Sequence, residues 1–189
     1  MKVTLRTITL GLALMALISA AMVANAWTVD DVIFSGTVGS GANTSYCVVD
    51  FGMASYAFKY NWGGTGQTGR TMLDAFKTNL PGFNFGAQPS GFVVNFAYDG
   101  HSITGDGSVA PDYFYWGYMT GVSTSTIAES YEGAGDRVLT NGSWDGWKWG
   151  GYPPTPLNVP GVPEPTSVMA LGSLIGLAAT SKLLRFRRK

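Results

Sequence analysis

Tyr113-Phe114-Tyr115-Trp116-Gly117-Tyr118-Met119-Thr120-Gly121-Val122 is dense in aromatic and β-favouring residues, and how it is read decides the fold. Large flat rings suit a pleated, half-buried surface, so the run predicts a strand over 113–122. In a strand Tyr113 and Tyr115 face one way, and Phe114, Trp116 and Tyr118 face the other. Both faces of that strand would then be aromatic, which leaves one of them able to lie outside the core.

Working outward, similar short runs occupy 27–38, 46–51, 56–62, 91–98 and 137–140, broken by clusters of Gly, Asn and Asp. That punctuation predicts a mainly β domain. A single helical pattern interrupts it. Thr71 followed by Asp74 has capping-box spacing, and Met72, Leu73 and Phe76 form an apolar stripe, so a helix is expected over 71–78, packed on a sheet, with α+β as the variant architecture. After Trp149 the chain reads Gly150-Gly151-Tyr152-Pro153-Pro154-Thr155-Pro156-Leu157-Asn158-Val159-Pro160-Gly161. This composition predicts a semi-rigid stalk over 150–162. The β-rich exported domain is thus expected over 27–149.

The two ends have a different composition. Lys2 and Arg6 precede an apolar run over 8–23, and Ala24-Asn25-Ala26 gives the small-x-small pattern that a signal peptidase accepts. Residues 1–26 are therefore expected to be a secretory signal, with Trp27 as the new N-terminus. At the other end, Val162-Pro163-Glu164-Pro165 leads into the stretch 166–184, whose only charge is Lys182, and then into Arg185-Phe186-Arg187-Arg188-Lys189. About 20 mostly apolar residues span a bilayer, and Lys182 is near enough to the end to snorkel. The basic cluster Arg185, Arg187, Arg188 and Lys189 would stay on the cytoplasmic side, which puts the preceding domain outside.

In that order, the Val-Pro-Glu-Pro element, the single apolar span and the Arg-rich end resemble the PEP-CTERM sorting signal over 163–189. The resemblance implies that an exosortase recognises Pro163-Glu164-Pro165, cuts near it and releases the domain toward the surface of a Gram-negative cell. Pro163 and Pro165 fit a protease-accessible segment, since proline fixes an extended backbone and removes amide donors. A plain C-terminal anchor is the alternative reading of the span. Thr71-Met72-Leu73-Asp74-Ala75-Phe76 ahead of an aromatic strand also resembles β-grasp domains related to the transcobalamin C-terminal region, which implies a cobalamin-type ligand.

The chain has 12 Lys and Arg against 12 Asp and Glu, but seven bases and one acid lie in the two ends. The body keeps five bases and eleven acids, a net of −6. That charge repels phosphate backbones and argues against nucleic acid as a partner. Cys47 is the only cysteine, so no intrachain disulfide forms; a buried position competes with an intermolecular bridge.

Catalytic chemistry has few candidates. His101 is the only histidine and lies in the turn-rich Asp99-Gly100-His101-Ser102-Ile103-Thr104-Gly105-Asp106-Gly107, where a triad would need partners from afar. Asp99, His101, Asp106 and Asp112 are close in sequence, but their spacing matches no standard metal site, and no metal or cofactor is expected. Gly63-Gly64-Thr65-Gly66-Gln67-Thr68-Gly69 lacks the Gly-Lys-Ser/Thr ending of a phosphate loop, and Arg70 does not replace it.

The aromatics are the remaining candidates. Trp116, Tyr118, Trp144, Trp147 and Trp149 are either a platform for an exopolysaccharide or a small apolar ligand, or the filling of a disulfide-free core. The sequence therefore predicts an exported, non-enzymatic surface or biofilm-matrix protein, anchored in the inner membrane only until it is processed. A secreted hydrolase of matrix polymer is the alternative.

Overall fold

A computed structural model describes residues 28–105, 107–108, 114–150 and 157–162. They form a mainly β fold with one α-helix among the described residues. The strands are β1 (Phe34–Gly39), β2 (Asn43–Asp50), β3 (Ser55–Trp62), β4 (Asn84–Ala87), β5 (Val93–Tyr98), β6 (His101–Thr104), β7 (Tyr115–Gly121), β8 (Ala128–Glu129) and β9 (Trp144–Gly150), with helix α1 (Gly69–Asn79) after β3.

Six strands form one mixed sheet in the order β1-β3-β2-β9-β7-β8, and β4-β5-β6 form a second, smaller sheet. Helix α1 and the small sheet cover one face of the large sheet. Phe76 of α1 packs on Phe58 at 5.4 Å, and Phe96 of β5 packs on Trp116 at 4.8 Å and Trp147 at 5.5 Å. The core between these layers is therefore largely aromatic, so packing holds a domain that has no disulfide.

The helix begins two residues earlier than expected, at Gly69. Thr68 is its N-cap: the hydroxyl of Thr68 accepts the Thr71 amide at 3.2 Å, and the hydroxyl of Thr71 accepts the Thr68 amide at 2.7 Å. Thr71 thus closes the capping box rather than opening it. Met72, Leu73 and Phe76 form the buried stripe, and Pro81 follows the Leu80 cap.

Other expectations are corrected. The run 27–38 contains a short 3-10 turn, Val29–Asp31, before β1 starts, and 137–140 contributes only an isolated bridge from Val138 to Thr68. Trp144–Gly150, not expected to be a strand, is β9 and lies in the middle of the large sheet, parallel to β2 and antiparallel to β7. A strand covered on both faces has no polar alternation to reveal it, and Asp145, Gly146 and Lys148 disguise it further.

The described part of the expected stalk packs against the domain instead of projecting from it. The amide of Asn158 donates to Asp50 Oδ2 at 2.8 Å, Pro160 O accepts the amide of Ile33 at 2.9 Å, and Val159 is buried. This strap lies on the outer face of the large sheet. Leu157 sits over Gly146, where any side chain would collide with it. The compact unit accordingly runs from Thr28 to Val162, past the expected limit at 149.

Candidate functional site

The structure buries three of the five aromatics read as a platform and does not gather them on one face. Trp116, Trp144 and Trp147 are each about 1% exposed. Trp116 and Trp147 belong to the core between the layers, while Trp144 stacks on Tyr46 at 4.4 Å on the outer face of the sheet. Tyr118 stacks on Trp147 at 4.5 Å, and Trp149 is half-buried against Trp116 at 5.6 Å and Phe114 at 6.0 Å. Core filling, the competing reading, is what the burial shows.

Inside the core Tyr118 holds a carboxylate. Its hydroxyl donates to Asp145 Oδ2 at 2.6 Å, and Arg137 Nε lies 3.6 Å from Asp145 Oδ1, an attraction of charges without a hydrogen bond. Burial pushes the Asp145 carboxyl up to about 6, against the opposing effects of the Tyr118 hydroxyl and the Arg137 guanidinium. Tyr118 is in turn pushed far above its ordinary value, by burial first and then by Asp145. On the outer face a second carboxylate, Asp50, meets Lys148 Nζ at 3.0 Å and accepts the amides of Gly52 and Asn158. Both carboxylates sit deep in packed side chains rather than in a cleft, so they are structural pairs.

Cys47 is fully buried in β2, beside Asp145 of β9, and burial raises its thiol well above the usual range. A buried neutral thiol is a poor nucleophile.

A groove among the described residues lies elsewhere. It has a volume of about 410 Å³ and runs between the Pro81–Gly82 turn and the tip of the β5–β6 hairpin. Tyr98 pairs with His101 across this hairpin, leaving Asp99 and Gly100 as a two-residue loop with φ of 46° and 81°. Asp-Gly suits such a turn, because both residues tolerate the left-handed region. The loop thereby fixes the Asp99 carboxylate at the groove, where Tyr56 donates its hydroxyl to Asp99 Oδ2 at 3.2 Å. His101 is oriented by ring contacts with Phe51 at 5.6 Å and Tyr56 at 5.9 Å.

Of the sequence candidates, the structure brings Asp99 and His101 together, while Asp106 and Asp112 lie outside the described residues. No cluster of three potential metal ligands exists among the described residues. The groove holds one carboxylate and one imidazole, without the second carboxylate that glycosidase chemistry uses. Tyr56, Pro81 and Tyr98 were not read as site residues. The Asp-Gly pair between two short β-type runs was the signal that could have found the hairpin.

Ala24, Ala26, Trp27, Pro163, Glu164, Pro165, Arg185, Arg187, Arg188 and Lys189 lie outside the described residues, as does the expected span over 166–184. Val162 is described, and its amide donates to Val159 O at 3.0 Å. No helix among the described residues is long and apolar enough to cross a membrane. The chain matches no protein-family model and no curated protein.

Proposed function

We propose that this is an exported surface protein, carried across the inner membrane by its first 26 residues and sorted by a PEP-CTERM-type signal over 163–189. A signal peptidase removes the leader, the apolar span holds the chain in the membrane, and an exosortase releases the body by cutting near Pro163-Glu164-Pro165. The body then has a binding or structural role at the cell surface or in the exopolysaccharide matrix. The observation that carries this reading is the match of boundaries: the compact unit runs from Thr28 to Val162, one residue inside the expected signal-peptidase product and one residue short of Pro163.

Replacing Pro163-Glu164-Pro165 by three alanines tests the sorting step. The full-length variant should accumulate in the inner membrane, and unchanged release would remove the exosortase from the account. The hydrolase alternative rests on Asp99 and His101 both lining the groove. Depolymerisation of matrix polysaccharide by the purified protein, abolished by His101→Gln, would favour it over the binding role.

A further inference from the structure

We infer that the groove between the Pro81–Gly82 turn and the Asp99–Gly100 hairpin tip binds a neutral sugar residue. This deepens the binding role proposed above and rests on it for its biological setting, but the site itself follows from its own geometry.

Charge excludes one class of ligand. The body carries a net of −6, and neither Lys nor Arg lines the groove, so an anionic ligand meets repulsion with nothing to offset it. Coordination argues against another. A divalent cation such as calcium takes six to eight oxygen ligands by general rule, whereas this open groove has one carboxylate. The Asp99 carboxylate and the Ser102 hydroxyl give a hydroxyl-rich ligand polar partners that an apolar ligand would not use. The class that remains is neutral and rich in hydroxyl groups.

The groove offers what such a ligand needs. Its volume of about 410 Å³ falls within the range of small-molecule sites. Asp99 is a strong acceptor held in place before binding, since Tyr56 engages one of its oxygens and the hairpin fixes its backbone. Ser102 adds a hydroxyl that both donates and accepts, and Pro81 lines the groove with apolar surface for a C–H face of a pyranose.

His101 is the only histidine in the chain, so its imidazole gives a single resolvable NMR signal at the site. The test is titration of the full-length chain, in zwitterionic micelles free of sugar headgroups, with glucose, galactose, mannose and N-acetylglucosamine. At least one should shift the His101 signal saturably. Asp99→Asn keeps a residue that tolerates the turn but loses the charge, and should weaken that binding about tenfold. Tyr56→Phe should weaken it about threefold, because Asp99 loses its anchor.

Absence of a saturable shift with all four sugars would overturn the inference. So would undiminished binding to Asp99→Asn, or a response to calcium chloride or cyanocobalamin but to no sugar. Failure here would leave the release experiment untouched, and failure of release would leave this titration untouched, so the two are separable.

Discussion

The amide of Ile33 donates to the carbonyl of Pro160 at 2.9 Å, joining the first and last segments of the described domain. The strap at 157–162 is thus part of the fold, and its buried anchor is Val159. Val159→Ala should cost about 2 kcal/mol through lost burial and a residual cavity, read as a lower midpoint in chemical denaturation. An unchanged midpoint would mean that the strap is an ornament.

The same strap covers a buried ion pair. Lys148→Met leaves the Asp50 carboxylate without its counter-charge and should cost about 3–5 kcal/mol. Adding Asp50→Asn should recover part of that loss, so the double variant should be more stable than the Lys148→Met single variant in the same denaturation assay.

Asp145 makes stability depend on pH in an unusual direction for a carboxylate. Its folded value of about 6 stands above the ordinary 3.8, so its favourable contribution is complete below the ordinary value and is lost as pH rises through 6. Between pH 4 and pH 7 the wild type should lose up to about 3 kcal/mol relative to Asp145→Asn, in which the group cannot titrate. Parallel stability curves for the two proteins would contradict this assignment.

Gly69 should resist a substitution that helix propensity favours. Replacing a helical glycine by alanine normally gains about 1 kcal/mol. Here the new Cβ would stand 2.5 Å from Asp145 Oδ2 and 2.9 Å from the Tyr118 hydroxyl. Gly69→Ala should therefore lower the thermal midpoint, by about 1–3 kcal/mol of stability.

These sites also show what was legible in the sequence. The strands around Tyr46, Tyr56 and Tyr118 were readable, because their β-branched and aromatic residues are bounded by turns. The buried stripe Met72, Leu73 and Phe76 gave the helix, though the cap was assigned to Thr71 because the Thr68–Thr71 reciprocity has no acidic residue to mark it. β9 was hidden by burial on both faces and by Asp145 and Lys148, whose partners are Arg137, across a loop, and Asp50, distant in sequence. Only tertiary structure shows that those charges are paired. Prolines 153, 154, 156 and 160 suggested a stalk, since composition does not report that Asp50 receives the amide of Asn158. The groove was half legible: Asp99 and His101 stand close together in a turn-rich stretch, but Pro81 lines it from a loop that sequence cannot align.

The central claim concerns the two ends of the chain, and the direct measurement is the intact mass and cellular location of the mature protein from its native cells, wild type beside an exosortase-deficient strain. The account predicts a species beginning at Trp27 and ending close to residue 163 in the surface fraction, absent from that fraction in the mutant. A species that retains Lys189 in the membrane of both strains would contradict it.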